Sequence, residues 1–302
     1  MSVDLIIICG ATASGKSSLA IQIAKQLDTE IISADSLAIY KNLNIGTAKP
    51  TAQEQNEVKH HLIDVVSPFD TFTVSDYEKL ALPIVNDLIS RGKTPIICGG
   101  TGFYINSILY KLSYGGTTEN SEIRAKFNKM LEEKGAEYVY NELKKVDIES
   151  ANKLHYNDTV RVIRALEIFY STGKKKSEQN DKLTPRFNYK AYSVSRPRAD
   201  LYDRINKRVD IMIENGLFNE VKSLIDMGVT LENQCMQGIG YKEVYDGLIK
   251  GDMTGVSDEI KLNSRHYAKR QITFFKRLEG LTEVSSNVGD AINFILNDIK
   301  KG

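Results

Sequence analysis

Cysteine and histidine are scarce in this sequence, which has three Cys and four His in 302 residues. No cysteine pair stands at the spacing of a metal-binding motif, so the sequence argues against a disulfide framework and against a structural zinc site. Cys9 and Cys98 lie in apolar runs, where cysteine usually behaves as a small buried hydrophobe. Reduced thiols are typical of a cytosolic protein.

Long hydrophobic runs are also missing, because no apolar stretch approaches the roughly 20 residues that cross a bilayer. The N-terminus opens directly into the strand-like run Leu5 to Cys9, without the pattern of a signal peptide. We therefore expect a cytoplasmic protein with no membrane partner. We also expect the protein to act as a monomer.

Neither sign of charge dominates, since 40 Lys and Arg stand against 39 Asp and Glu, for a net charge of +1. The composition, 41% hydrophobic and 26% charged, is that of an ordinary globular protein. A balanced total does not exclude nucleic acid, because a basic face can be offset by an acidic one elsewhere.

Short apolar runs alternate with helical patterns in the first hundred residues, which is typical of an α/β fold with a parallel sheet. The predicted strands are Leu5 to Cys9, Glu30 to Ala34, Leu62 to Val66 and Pro95 to Cys98. A capping box at Ser75 and Glu78 is predicted to start the helix before the fourth strand.

Residues 114–187 are polar or charged, with helical periodicity and few strand signals. We predict a helical insertion domain there, with residues 1–113 and 188–302 forming the core. The alternating run Tyr189 to Ser195 is predicted to return to the sheet, and the pattern from Leu201 onward is helical.

The clearest motif fits G-x-x-x-x-G-K-[ST], follows a predicted strand and opens a predicted helix. Its residues are Gly10, Ala11, Thr12, Ala13, Ser14, Gly15, Lys16 and Ser17. Such a loop binds phosphate through backbone N–H groups and the helix N-terminus, while Lys16 adds a charge and the Ser17 hydroxyl can hold Mg²⁺. The sequence therefore predicts a P-loop.

A polyphosphate site does not by itself specify ATP. Nucleoside triphosphatases normally carry an Asp at the end of a second apolar strand, where it organises Mg²⁺. Here the strand Pro95 to Cys98 runs into Gly99-Gly100-Thr101-Gly102, with no carboxylate. This difference disfavours ATP hydrolysis and favours a substrate in which diphosphate is the leaving group.

Asp35 and Thr101 both follow predicted strands, so we expect them at the same sheet edge as the P-loop. Asp35 could serve as a general base towards an amine or as a magnesium ligand through water, or it could simply cap a turn. Thr101 lies in a Gly-rich loop that could admit a ligand closely or could form an ordinary strand-to-helix turn.

Several arginines and lysines are grouped in predicted helices. Arg204 and Arg208 lie four apart, as a diphosphate site or surface salt bridges would require, and Arg161 and Arg164 lie three apart in the insertion. The stretch Lys261 to Arg277 has six cations, no Asp or Glu, and interleaved aromatic residues (Tyr267, Phe274 and Phe275). It could form a surface for single-stranded nucleic acid or a solvated helix face.

These motifs together resemble the tRNA dimethylallyltransferase family, in its order and over nearly the whole chain. The matching segments are Gly10 to Ser17, Asp35 to Tyr40, Ile45 to Pro50, His60 to Asp64, Gly99 to Tyr104, Arg161 to Glu167, Gly238 to Glu243 and Ala268 to Phe275. The P-loop alone would not distinguish this family from a small kinase.

The resemblance implies a P-loop NTPase-like parallel sheet flanked by helices, with an all-helical insertion that contacts tRNA. It implies prenyl transfer from dimethylallyl diphosphate to the exocyclic N6 of the adenosine beside the anticodon in tRNA, with Mg²⁺ as cofactor. The P-loop would hold the diphosphate of the donor, although the motif is one that often binds ATP.

The resemblance also implies roles for individual residues. Asp35 matches the general base, and Arg208 and Lys16 lie beside the diphosphate. Thr101 matches a residue of the acceptor channel. The tRNA contacts implied are Asp35, Ser36, Leu37, Ala38, Thr101, Arg161, Arg164, Gln237, Gly240, Lys242, Lys269, Arg270 and Lys276.

Some features depart from the family pattern or leave alternatives. Leu37-Ala38 stand where many relatives carry Met-Gln, and Ser17 stands where Thr is frequent. The zinc finger of eukaryotic relatives has no counterpart, which favours a bacterial type. The alternatives are an adenylate isopentenyltransferase acting on free nucleotide, a P-loop kinase of a small metabolite, and a non-catalytic RNA-binding module.

Overall fold

A computed structural model describes residues 3–114, 121–179 and 184–301. The chain forms two compact units, which separate between Leu109 and Tyr110 and again between Thr184 and Pro185. The first unit combines both ends of the sequence, and the second is the segment between them. The sequence-based limits of the insertion, 114 and 187, fall a few residues after these two boundaries.

Six strands of the described chain form one sheet, in which each neighbouring pair is parallel and the order is β3-β2-β4-β1-β5-β6. The strands are β1 Leu5–Cys9, β2 Ile31–Ala34, β3 His60–His61, β4 Ile96–Gly99, β5 Tyr189–Val194 and β6 Leu281–Val284. The parallel sheet with its flanking helices confirms the predicted α/β fold.

The helices of the first unit precede and follow those of the insertion in the chain. In chain order the described helices are α1 Lys16–Gln26, α2 Ala52–Glu57, α3 Val74–Ser90, α4 Gly102–Leu109, α5 Ser121–Lys134, α6 Ala136–Val146, α7 Ile148–Asn152, α8 Thr159–Thr172, α9 Arg198–Glu214, α10 Leu217–Asp226, α11 Tyr241–Lys250, α12 Val256–Phe275 and α13 Val288–Lys301. Among the described helices, none has the length and apolar character needed to span a bilayer.

The central strands β1 and β4 are buried throughout, which explains why they are continuous apolar runs rather than alternating ones. All five residues of β1 are fully buried between β4 and β5. Helix α1 packs against β1, β2, β4 and α13, while α4 contacts β2 and β4. The core therefore holds the ends of β1, β2 and β4 rigidly, and these strands precede the candidate site residues.

Helices α5 to α8 form the second unit around their own apolar core, which contains Phe127, Val139, Leu143, Val162 and Leu166. The Glu167 side chain is fully buried there, and its Oε2 atom lies 2.9 Å from Nη2 of Arg124 and 2.8 Å from Nη1 of Arg164. A buried carboxylate needs such partners, because an uncompensated charge in the core would be strongly destabilising.

Three local predictions were wrong. Residues Leu62 to Val66 do not form a strand, because Leu62 and Asp64 have positive φ values of 61° and 56°; the strand is the preceding pair, β3. The region after Leu201 contains a strand, β6, which completes the sheet edge. The capping box of α3 is formed by Thr73 and Asp76 rather than by Ser75 and Glu78.

Candidate active site

Three adjacent strands bring the P-loop, Asp35 and Thr101 to one edge of the sheet. The last residue of β4, Gly99, is in register with Cys9 at the end of β1 and with Ala34 at the end of β2. The chain continues from these strands into Gly10, Asp35 and Gly100. This is the carboxyl edge of a parallel sheet, where ligands of α/β proteins bind.

The P-loop backbone is strongly curved and is braced from outside. Gly10 and Gly15 adopt positive φ values of 123° and 102°, a conformation that glycine accepts without steric cost. Arg196 Nε donates to the carbonyl of Ser14 at 2.7 Å, and Arg204 Nε donates to the carbonyl of Ala13 at 2.9 Å. Arg204 therefore supports the loop from behind and does not accompany Arg208 in the site.

Two cations without a carboxylate partner lie at this edge. Burial lowers the pKa of Lys16 and of Arg208, and the charge of Asp35 opposes the shift in both. Lys16 Nζ reaches the carbonyl of Ala11 at 3.4 Å, and Arg208 Nη2 donates to the carbonyl of Thr47 at 3.2 Å. Within the described residues neither makes an ion pair, so an anionic ligand would relieve the cost of burying them.

Two cavities meet at these residues. The smaller cavity, of about 80 Å³, is lined by the P-loop residues Thr12, Lys16 and Ser17 among others. The larger, of about 350 Å³, lies beside it and is lined by α9, α12 and the segment around Gly238. Both cavities share the lining residues Thr12, Asp35, Thr47, Arg208 and Tyr267. The site therefore offers a polar phosphate compartment next to a roomier one.

Asp35 stands on the shared wall and also organises the turn after β2. Its Oδ1 atom accepts the N–H groups of Leu37 at 2.9 Å and Ala38 at 3.1 Å. The hydroxyl of Thr101 supports the same turn, because its Oγ1 accepts the N–H of Ser36 at 3.0 Å. The turn-capping role that the sequence left open for Asp35 is thus realised, and it holds the carboxylate beside both cavities.

A clamp formed by Glu220 holds the loop that carries Thr47. The Glu220 carboxylate accepts the N–H groups of Asn44, Ile45 and Gly46 and, at 2.7 Å, the hydroxyl of Tyr241. Hydrogen bonds to a charged acceptor are stronger than neutral ones. The loop is therefore fixed from helix α10.

Of the residues predicted to contact tRNA, Thr101 supports the turn after β2 and lines neither cavity, and the others fall into three groups. Ser36, Leu37, Gln237 and Arg270 line the larger cavity together with Asp35, whereas Ala38 lines the smaller one. Lys242, Lys269 and Lys276 have exposed side chains, and Gly240 precedes α11. Arg161 and Arg164 belong to the second unit, where they pair with Asp158 and Glu167. The role of all these residues towards tRNA stays a prediction.

The basic stretch of α12 divides into a packed half and an exposed half. Lys261 pairs with Asp210 at 2.5 Å, and Arg265 Nη1 donates to Asn206 at 2.6 Å, because α12 packs against α9. Tyr267 faces the cavities, where burial raises its pKa to about 12, and Phe275 is buried in the core. Phe275 therefore lies outside the expected surface of interleaved aromatics, and Tyr267 lies at the cavities.

Sequence reasoning missed the side chains that connect distant segments at the site. Gln271, which is buried, joins the P-loop to the segment after β4, since its Oε1 accepts Thr12 N–H at 2.8 Å and its Nε2 donates to Gly100 carbonyl at 3.0 Å. The basic stretch Lys261 to Arg277 and the motif Ala268 to Phe275 drew attention to the region of Gln271, but no local signal distinguished Gln271 or Glu220.

Comparison with known proteins agrees with this geometry. The family model described as IPP transferase matches residues 38–278. The tRNA dimethylallyltransferase of Acetivibrio thermocellus is 43% identical over 302 residues, which cover 98% of this chain and 96% of that protein. The tRNA dimethylallyltransferase of a Thermoanaerobacter species is 45% identical over 283 residues, covering 91% and 90% of the two chains.

Solved structures show the same similarity. The tRNA isopentenylpyrophosphate transferase of Bacillus halodurans has a TM-score of 0.73 at 36% identity, covering 98% of this chain and 97% of that one. A eukaryotic dimethylallyltransferase that acts on tRNA has a TM-score of 0.84 at 30% identity, covering 98% and 79%. From its motifs, its fold and these matches, the chain belongs to the IPP transferase family.

Proposed function

We propose that this protein transfers a dimethylallyl group from dimethylallyl diphosphate to N6 of the adenosine beside the anticodon of tRNA, with release of diphosphate. The observation that carries the proposal is the pair of adjoining cavities with Asp35 and Arg208 on their common wall. One cavity has the donors that a diphosphate needs, and the other is large enough for a base. Names of the relatives, which are tRNA dimethylallyltransferases, support the same reaction.

The phosphate side of the site is suited to a leaving group that gains negative charge. The N–H groups at the start of α1 have no intrahelical acceptor, and Lys16 and Arg208 are cations with no ion-pair partner among the described residues. As the C–O bond of the donor breaks, negative charge accumulates on the diphosphate. Prepositioned donors of this kind are often the largest contribution to catalysis.

On the acceptor side, the exocyclic amine is a poor nucleophile because its lone pair is delocalised into the adenine ring. The allylic carbon must therefore become electrophilic as the C–O bond breaks. The N6–C bond then forms, diphosphate departs, and the extra proton on N6 passes to the carboxylate of Asp35. The N–H groups of Leu37 and Ala38 donate to Oδ1 of Asp35 and hold the carboxylate in a fixed position. A fixed carboxylate within reach of the proton is what a general base requires.

The residues present suit a magnesium ion as cofactor. The Ser17 hydroxyl and the Asp35 carboxylate line the same small cavity, and both are oxygen ligands of the kind that Mg²⁺ prefers. Among the described residues no group of three or more Cys, His, Asp or Glu could hold a metal alone, so the ion would depend largely on diphosphate oxygens and water. When bound, Mg²⁺ would neutralise part of the diphosphate charge.

The RNA itself would be held by cations around the larger cavity. Arg270 lines that cavity. Lys269 and Lys276 are exposed and lie close to Arg270 in the sequence, and Lys242 is exposed and follows the lining residues Gly238 and Ile239. The target base must leave the anticodon-loop stack, which costs a few kcal/mol that contacts to the RNA backbone can offset.

The decisive experiment incubates the purified protein with Mg²⁺, unmodified tRNA and dimethylallyl diphosphate in the absence of ATP. We expect prenylated adenosine in nuclease digests of the tRNA, detected by mass spectrometry. Lys16→Ala is the matched loss-of-function control, since it removes a charge from the phosphate compartment. A parallel reaction offers AMP in place of tRNA.

Each alternative gives a different result in this assay. Dependence on ATP, with phosphate transfer to a metabolite, would support a kinase and contradict the proposal. Prenylation of AMP but not of tRNA would support the adenylate isopentenyltransferase. Binding of tRNA without any prenyl transfer would leave an RNA-binding module.

A further inference from the structure

One N–H group of the P-loop is already occupied by a side chain from the opposite end of the sequence. Gln271 Oε1 accepts from Thr12 N at 2.8 Å, and Gln271 Nε2 donates to the carbonyl of Gly100 at 3.0 Å. Both ends of the carboxamide are engaged, and the residue is 5% exposed. Its orientation is thus set: the oxygen faces the P-loop, and the nitrogen faces the segment after β4.

The space for this side chain exists because residue 100 is glycine. A Cβ atom at position 100 would overlap the amide nitrogen of Gln271. A side chain there would therefore push the carboxamide away from Thr12. The Gly-rich segment after β4 and the buried face of α12 together place the Gln271 oxygen against the P-loop.

The occupied N–H divides the phosphate-binding groups of the loop into two sets. At the helix end, the N–H groups of Lys16 and Ser17 begin α1 and lack intrahelical acceptors. At the other end, where the loop leaves β1, the N–H of Thr12 already donates to the carboxamide oxygen of Gln271. A ligand there meets this oxygen instead of a free N–H donor. Thr12 and Gln271 both line the small cavity, so a phosphate chain extended from the helix end towards Thr12 would meet an acceptor oxygen.

Phosphate oxygens need donors, and a carboxamide oxygen repels them because it carries a partial negative charge. We propose that Gln271 is a specificity-determining residue that limits the loop to a diphosphate and disfavours a triphosphate chain. This inference rests on the proposed function, because it takes the diphosphate of the donor as the natural occupant. It explains how a loop that commonly serves ATP can serve a prenyl donor instead.

The test compares the affinities of pyrophosphate and tripolyphosphate, measured by isothermal titration calorimetry at a constant Mg²⁺ concentration. We expect the wild-type protein to prefer pyrophosphate. In Gln271→Ala, the ratio of the two dissociation constants should move towards tripolyphosphate by about tenfold or more, since one hydrogen bond to a charged group is restored and one repulsive oxygen is removed. ATP is titrated as a third probe and should follow tripolyphosphate.

Gln26→Ala is the control. Gln26 is exposed at the end of α1 and lines neither cavity. It should leave the ratio unchanged. Gln271→Asn, which is too short to reach both Thr12 and Gly100, should shift the ratio in the same direction as Gln271→Ala and provides a second variant if the alanine variant does not fold.

Two outcomes would overturn the inference. If the Gln271 variants weaken pyrophosphate and tripolyphosphate equally, Gln271 is only a structural brace between α12 and the P-loop. If the wild-type protein binds both compounds equally while still prenylating tRNA without ATP, the inference fails and the proposed function stands. A requirement for ATP in the transfer assay would instead remove the proposed function itself.

Discussion

Arg208 donates from Nη2 to the backbone carbonyl of Thr47 at 3.2 Å, across 161 residues of sequence. The carbonyl of Thr47 belongs to the loop that the Glu220 carboxylate holds through three backbone N–H groups. The position of the half-buried guanidinium therefore depends on a carboxylate that lines neither cavity. Glu220 is a positioning residue for Arg208 in this arrangement.

Replacement of Glu220 by alanine should lower kcat for prenyl transfer by about 10- to 100-fold, because a misplacement near 1 Å at a catalytic group has effects of that size. Pyrophosphate affinity should fall with it, whereas tRNA affinity should change little. Glu220→Gln keeps an acceptor oxygen and should recover part of the rate. Steady-state kinetics and pyrophosphate titration provide the measurements.

Glu214→Ala is the control for Glu220, since Glu214 is an exposed carboxylate at the end of α9. It should leave kcat and pyrophosphate affinity at wild-type values. A Glu220→Ala protein with normal kcat and normal pyrophosphate affinity would show that the loop holds Arg208 without the clamp.

Asp35→Asn separates the two roles of Asp35. Asparagine keeps an oxygen for the N–H groups of Leu37 and Ala38, so the turn and the melting temperature should be preserved. The single-turnover rate of transfer should fall by about 100- to 10,000-fold, because the amide cannot accept the proton from N6. Affinity for tRNA, measured by filter binding, should remain within about twofold, since the side chain keeps its shape and its turn contacts.

Asp35→Ala serves as the comparison, because it removes both the base and the turn acceptor. We expect it to lose stability as well as rate. Wild-type turnover in Asp35→Asn would exclude Asp35 as the base and leave it a turn residue only.

Acid should weaken the fold through Glu30. Burial alone would raise the pKa of Glu30, but hydrogen bonds from His61, Lys59 and Arg91 lower it from 4.5 to about 2. A lowered carboxylate pKa stabilises the folded state above pH 4.5, and this stabilisation is lost as the pH falls from 4.5 towards 2. Its size is at most about 3.5 kcal/mol, at about 1.4 kcal/mol for each unit of pKa.

Urea unfolding of Glu30→Gln between pH 6 and pH 2.5 would test this expectation. The variant should be less stable than wild type at pH 6 and should show a smaller further loss on acidification. Glu57→Gln is the control, because Glu57 pairs with Lys25 on the surface and should affect the profile little. A Glu30→Gln profile parallel to that of the wild type would contradict the assigned pKa.

The three cysteines should be unreactive in the folded protein. All are buried and free, and burial raises the pKa of Cys9 to about 12 and the pKa values of Cys98 and Cys235 to about 11. The thiolate is the nucleophile, so almost no thiolate should be available to react with a disulfide reagent at pH 8. Titration should detect three thiols only after unfolding in guanidinium, and rapid native labelling of Cys98 would show that the small cavity is open to solvent.

Elements with a strong local pattern were predicted well from the sequence. Strand β1 is apolar throughout because it is central and covered on both faces, and a continuous apolar run predicts such a strand. Strand β3 has only two residues, both histidines, and no apolar run marks it. The segment that follows it, Leu62 to Val66, is bent by positive φ values at Leu62 and Asp64, and its pairing is reduced to an isolated parallel bridge between Val66 and Tyr40.

The same contrast holds at the site. The predicted P-loop, Asp35 and Arg208 line the cavities, and motif or position identified each of them. Arg204 differs from Arg208 by one helical turn and yet braces the loop from behind, which helical spacing could not distinguish. In α12, Tyr267 lies within the basic stretch but lines both cavities, because packing against α9 decides which face of the helix is buried.

The sequence by itself determined the P-loop, since the strand, the glycine-dependent turn and the helix that build it are consecutive residues with local preferences. Only the tertiary structure decided what surrounds that loop. The contacts Thr12 to Gln271 and Arg208 to Thr47 join residues 259 and 161 positions apart. A hydrogen bond requires the donor–acceptor distance to lie within a few tenths of an ångström of its ideal value. Such precision comes from the packing of α9 and α12 at the sheet edge rather than from any local pattern.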